Sequence, residues 1–265
     1  MSPFWSRIVV ALVLLPIVFW IVYLGGWWLF GLALAGGLIA LHELYTMARS
    51  LRPLVLAGLV GIVLTLLGAQ LGGPVWMLGG LAATLLLSFL VFGISDARPT
   101  SLVAAIGTTV LGVAWVGGGL SLLVLVRDIP GEGRLAIVTV LLAVFADDTA
   151  AYFVGRLMGR HKLAPAISPG KSWEGFVAGA VAAIAVVFFA LYDQGFLTNW
   201  EAIGLGAAIA VASVIGDLFE SAVKRDLGFK DSGSMLAGHG GVLDRVDSLL
   251  FAGPTSLYVI LAYGY

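Results

Sequence analysis

Apolar runs close to the length of about 20 residues that crosses a bilayer core as a helix recur along this chain, separated by glycine, proline or charge. Their limits predict helices over 8 to 24, 27 to 45, 54 to 71, 75 to 95, 101 to 126, 134 to 156, 174 to 193, 200 to 223 and 242 to 263. The predicted fold is therefore an all-α, polytopic integral membrane protein of about nine transmembrane helices. The first run follows Arg7 and resembles a signal peptide. It is longer than a usual signal core and lacks a small-residue cleavage site, so it reads as a retained transmembrane helix. Gly117, Gly118 and Gly119 give the fifth run the means to break into two half-helices or a re-entrant pair.

Composition sharpens this picture. With 60% hydrophobic and 11% charged residues, the chain cannot cover itself with a water-soluble surface. The net charge of -1 comes from few, local charges, which argues against a nucleic-acid partner. The absence of cysteine excludes disulfides, thiolate metal sites and cysteine nucleophiles.

Lys and Arg set the orientation. With the N-terminus in the cytoplasm, the inner loops and helix ends hold Arg7, Arg49, Arg52, Arg98, Arg156, Arg160, Lys162, Lys171, Lys224, Arg225, Lys230 and Arg245, leaving only Arg127 and Arg134 outside. An odd number of spans then puts the C-terminus outside. Of the 29 charged residues, 19 fall between Asp147 and Asp247, so the early helices read as scaffold. The expected organisation is one membrane domain over 1–265, with scaffold helices in 1–130 and catalytic helices and cytoplasmic loops in 131–265. No internal repeat is evident.

Two of the inner loops carry the candidate chemistry. The first, Asp147 to Gly175, opens with adjacent acids inside an apolar helix, where Asp148, Tyr152 and Arg156 share a face at steps of four. Asp148 and Arg156 neutralising each other is the plain alternative to a functional acid. Gly170-Lys171-Ser172 resembles the end of a P-loop, yet Pro165 stands where that motif needs its first glycine and no strand is expected before it. Ser168 to Ser172 still offers hydroxyls, backbone N–H groups and one ammonium just before a helix starting near Trp173, a place that favours anions. Capping by Ser172, with Glu174 in the first turn, explains the same residues and is compatible with anion binding.

The second loop adds Lys224, Arg225, Lys230 and Asp231, then His239-Gly240-Gly241, and re-enters the membrane through Asp244, Arg245 and Asp247. Glycines at 238, 240 and 241 suit close approach to a polyphosphate, and equally a chain reversal. Mg2+ takes oxygen ligands, typically one or two carboxylates plus substrate phosphates, which suits Asp217 and Asp244. Simple pairing of those acids with Lys224 and Arg245 is the alternative. His42 and Glu43, at the inner end of the second run, read as interface residues, and the tryptophans gather near span ends as an aromatic belt does. No HExxH, GxSxG or GxGxxG motif occurs.

These segments resemble the phosphatidate cytidylyltransferases, or CDP-diacylglycerol synthases. The family pattern S-x-x-K-R-x4-K-D, then H-G-G, then x-x-D-R-x-D is filled by Ser221, Lys224, Arg225, Lys230, Asp231, His239, Gly240, Gly241, Asp244, Arg245 and Asp247. Upstream, Asp148, Thr149, Ala151, Tyr152, Gly159 to Leu163 and Ser168 to Ser172 are similar to a second family segment. The resemblance covers about residues 145 to 250 and is only general before that. It implies an enzyme that transfers CMP from CTP to phosphatidic acid, giving CDP-diacylglycerol and pyrophosphate for phospholipid synthesis. It also implies Mg2+, in a two-cation centre whose other ion is a monovalent cation such as K+.

Asp217, Asp244, Asp247 and Asp148 are the metal candidates. Lys171, Lys224 and Arg225 would neutralise phosphates, and His239 with its glycines would order the nucleotide or pyrophosphate. Ser221, Asp231 and Arg245 complete the expected catalytic set, while Tyr152, Ser168, Ser172 and Lys230 join the substrate-binding one. The resemblance favours a homodimer in the cytoplasmic membrane, with the site facing the cytoplasm so that a soluble nucleotide and a two-chain lipid both reach it. A CTP-dependent kinase of polyprenol or phytol is the nearest rival, separable by its products. A secondary transporter is a more distant one, since it should place charge at midplane and show repeated halves.

Overall fold

The computed structural model describes residues 15–94, 101–233 and 240–265, and Arg7, Arg98 and His239 lie outside them. The described chain is overwhelmingly helical, in the order α1 (Leu15–Leu24), α2 (Gly26–Met47), α3 (Val55–Ile94), α4 (Leu102–Gly112), a π-helical segment (Val113–Gly118), α5 (Gly119–Arg127) and α6 (Gly133–Met158). It continues through β1 (Lys162–Ala164), β2 (Ser168–Ser172), α7 (Trp173–Leu191), α8 (Asn199–Asp226), α9 (Leu243–Val246) and α10 (Leu249–Ala262). Helices dominate for a physical reason: in hydrocarbon every backbone donor and acceptor needs a partner within its own segment. Among the described residues, 6 helical stretches are long and apolar enough to cross a membrane, and α1 and α10 are shorter apolar helices.

One of those stretches is two helices. Gly73 in α3 has φ 69° and ψ −155°, a conformation glycine adopts readily, and Pro74 follows at the start of the second arm. The arms fold back on each other through small residues. A methyl group on Gly80 would lie 2.6 Å from the Thr65 backbone, and one on Gly61 or Gly68 would strike Thr84 or the Trp76 backbone. The runs expected at 54 to 71 and 75 to 95 are these two arms. Their buried hydroxyls bond within their own helices, Thr65 to Gly61 O at 2.8 Å, Thr84 to Gly80 O at 2.8 Å and Ser88 to Thr84 O at 2.7 Å. Leu56, Leu71, Leu86 and Phe89 stand exposed on the arms, as lipid-facing residues do.

The run expected at 101 to 126 stays continuous. Its glycines relax the helix into π geometry over Val113–Gly118 rather than breaking it into halves, and Gly117 lies against the Ile62 side chain. Ser101 caps its start by accepting from Ala104 N.

Two compact units emerge, one built from the chain up to Leu125 with Leu227–Val246, the other from Val126–Asp226 with Asp247–Tyr265. In the first, Leu41, Ile62, Leu66, Val113 and Val116 form the core, and the Tyr45 hydroxyl donates to Thr109 O at 2.7 Å. In the second, α6, α7, α8 and α10 pack around Ile137, Val187, Leu205, Ile209 and Ile260. Small residues again set the spacing there, since Gly206 faces the Ile184 backbone and Gly216 faces the Asp247 carbonyl.

The segment before α7, expected as loop, contains an antiparallel hairpin with Lys162 opposite Ser172 and Ala164 opposite Ser168. Its strands of three and five residues are too short for any alternation to register in the sequence. Glu174 pins the hairpin, accepting from the Arg160 N–H at 3.1 Å and the His161 N–H at 3.2 Å while its carboxylate meets His161 Nδ1 at 2.6 Å.

Because the two arms of α3 meet at backbone distance, Gly80→Leu should lower stability by about 1–3 kcal/mol through overpacking. Gly79→Leu, at a position open to solvent or lipid, should stay within about 0.5 kcal/mol of wild type. Thermal unfolding of the two variants in one detergent compares them directly.

Candidate active site

Helix α8 places its polar residues on one stripe, since Asp217, Glu220, Ser221 and Lys224 follow at steps of three and four. The Ser221 hydroxyl donates to Asp217 Oδ1 at 3.3 Å. Lys224 Nζ lies 2.6 Å from Glu220 Oε2, with Glu220 buried and Lys224 partly buried. From the hairpin, Lys171 reaches Asp217 Oδ2 at 2.7 Å. The sequence left Asp217 open to pairing with Lys224; in the structure its ion pair is instead with Lys171, and Lys224 turns to Glu220.

Asp247 precedes α10 and accepts from the Ser248 N–H at 2.8 Å. Its half-buried carboxylate is in electrostatic contact with the carboxylates of Asp217 and Asp148 and with the Lys224 ammonium. On α6, Asp148 is exposed, and Asp147 beside it is buried within range of the Lys171 charge. Gly179 of α7 gives Asp147 its room, because a side chain there would strike the Asp147 carboxylate. The face expected from steps of four is present: Arg156 Nη1 donates to the Tyr152 hydroxyl at 2.7 Å. Asp148, Lys171, Asp217, Ser221, Lys224 and Asp247 thus form one charged neighbourhood in the second unit.

Ser172 is the N-cap of α7, its hydroxyl accepting from the Gly175 N–H at 3.2 Å with Glu174 in the first turn. Capping is therefore real, and Lys171 emerges immediately before it. Ser168 opens β2, partly buried, and Arg225 is exposed near the end of α8.

In the first unit the second loop is organised by two carboxylates. Asp244 accepts from the Ser232 N–H at 3.1 Å and the Gly241 N–H at 2.8 Å. Glu43 accepts from the Val242 N–H at 3.0 Å, the Leu243 N–H at 2.9 Å and the Ser232 hydroxyl at 3.2 Å. Gly240 has φ 78°, and a side chain at Gly241 would collide with Ser232 and Glu43, so both glycines are demanded by the turn. Lys230, Asp231 and Arg245 stand exposed around it. Glu43, which the sequence reads as an interface residue, and Glu220, which it does not single out, are the two that sequence reasoning missed as organising groups. The available signal was that Glu43 is the sole charge in α2.

Among the described residues, no three acidic or histidine side chains close into an ion cage. The oxygen-only donor set of Asp217, Asp247 and Asp148 nevertheless suits a hard cation that completes its shell with water and substrate oxygens. Mutually repelling carboxylates gathered at one place fit such an ion, which would offset their charge.

The model of the cytidylyltransferase family matches residues 5–263. Among curated proteins, the phosphatidate cytidylyltransferase of Brucella suis biovar 1 (strain 1330) is 35% identical over 252 residues, covering 95% of this chain and 91% of its own length. That of Staphylococcus aureus (strain COL) is 38% identical over 224 residues, covering 82% of this chain and 84% of its own length. With helices fit for a membrane and a match over nearly its whole length, the chain belongs to the cytidylyltransferase family.

Proposed function

We propose that this protein transfers CMP from CTP to phosphatidate, forming CDP-diacylglycerol and pyrophosphate for phospholipid synthesis. The observation that carries the reading is the cluster of Asp217, Asp247 and Asp148 with Lys171 and Lys224, held by long apolar helices and the short segments that join them. In this transfer a phosphate oxygen of phosphatidate bonds to the α-phosphorus of CTP as the bond to the pyrophosphate oxygen breaks. Both partners are anionic, so the protein's task is positioning and charge neutralisation rather than covalent catalysis.

Asp217 and Asp247, with Asp148, would hold Mg2+. Bound there, Mg2+ would neutralise phosphate oxygens and stabilise the charge that develops on the leaving pyrophosphate. Lys171, already beside Asp217, gains a second anion when a triphosphate arrives. Lys224 is held ready by Glu220, and the exposed Arg225 adds positive charge near the same end of α8. Gly240 and Gly241 let the turn that carries Asp244 close tightly on that carboxylate and on Glu43.

The bias of Lys and Arg toward one set of loops supports a cytoplasmic N-terminus and a site at the cytoplasmic face of the cell membrane. A site at that level serves a soluble nucleotide and a bilayer lipid together.

Purified protein given labelled CTP, phosphatidate and Mg2+ should release pyrophosphate and label the lipid with CMP; CDP and a phosphorylated lipid would refute the reading. Chelation should stop turnover, and added Mg2+ should restore it. Asp217→Asn and Asp244→Asn should each lower kcat by about 100-fold or more while the protein stays in the membrane fraction. Near-normal rates would remove Asp217 from the metal site and Asp244 from the residues that the transfer needs. Lys224→Ala should raise KM for CTP or phosphatidate, and unchanged kinetics would make Lys224 purely structural.

A further inference from the structure

Glu43 is a buried acid on a helix that carries no other charge, and three neutral donors from a segment nearly two hundred residues away meet its two oxygens. We propose that Glu43 is a positioning residue for the transfer reaction, whose anionic carboxylate sets the backbone of the turn through Gly240–Leu243 from which Asp244 and Arg245 extend. This rests on the proposed function, in which the motif residues Asp244 and Arg245 of that turn take part in the transfer.

Each contact bears on the turn. Oε1 takes the Val242 N–H, and Oε2 takes the Leu243 N–H and the Ser232 hydroxyl. Ser232 also donates its N–H to Asp244, so the orientation of the Asp244 carboxylate depends on a residue that Glu43 holds. Space is shaped to match: a methyl group on Gly233 would lie 2.8 Å from Glu43 Oε1, and one on Gly241 would overlap the other oxygen. An acceptor-only group is required. The amide of a glutamine would turn an NH2 donor toward N–H or O–H donors at one of the two positions, leaving a buried donor unpaired. Aspartate keeps the charge but is one methylene shorter, so it reaches only part of the set.

The test compares Glu43→Gln with Glu43→Asp in the full-length protein in detergent, measuring steady-state kinetics and amide hydrogen exchange. Glu43→Gln should lower kcat/KM for CTP by about tenfold or more, in line with the cost of small misplacements, and leave KM for phosphatidate unchanged. Exchange at Val242 and Leu243 should accelerate while α6–α8 keep wild-type protection, and Glu43→Asp should fall between the two proteins in both measurements. Wild-type kcat/KM for CTP in Glu43→Gln, unchanged exchange at both amides, or loss of protection throughout α6–α8 would each overturn the proposal. If wild-type protein makes no CDP-diacylglycerol, the functional reading fails instead, and the exchange measurement still decides whether Glu43 holds the turn.

Discussion

A carboxylate beside hydrocarbon is tolerated only when donors or cations surround it, because its desolvation is otherwise too costly. That constraint organises the polar half of this protein. Glu43 and Asp244 are wrapped by backbone N–H groups of one turn, Asp217 by Lys171, Glu220 by Lys224, and Glu174 by the backbone and ring of the β-hairpin. Almost every one of these contacts joins segments that are distant in the chain or different in kind. The acids thus order the loops as well as supply charge, and a buried pair that loses one partner becomes strongly destabilising.

Apolar packing is handled by a separate device. Lipid tails are as apolar as leucine, so helices in a bilayer gain little from hiding leucine and gain more from close contact. Glycine provides that contact at Gly61, Gly68 and Gly80 between the arms of α3, and at Gly206 and Gly216 in the second unit. Gly179 and Gly241 use the same absence of a side chain differently, making room for Asp147 and Glu43. In those two places the packing device and the charge device coincide.

The placement of function follows. Phosphoryl and nucleotidyl transfers need oppositely charged groups held still more than they need a reactive side chain. A stripe on α8, a lysine at the end of a short strand and an acid just before α10 hold such groups on rigid elements. The Ser172 cap and the Glu174 clasp fix where Lys171 stands. Lys171 thereby depends on local capping that would exist whether or not a substrate bound.

Most of the helices were legible in the sequence because length and apolarity suffice to predict a bilayer span, and the Asp148–Tyr152–Arg156 face and the Ser172 cap followed from local periodicity alone. Motif spacing also pointed to the charged segments of α8 and of the turn before α10. Partner choice was not legible. Asp217 could have paired with Lys224 about two helical turns away, yet it meets Lys171 from another element, and Glu43 reads in the sequence as an interface residue although Ser232, Val242 and Leu243 surround it. Local rules act through steps of three or four residues, whereas these contacts span tens to two hundred residues and exist only once the chain has folded.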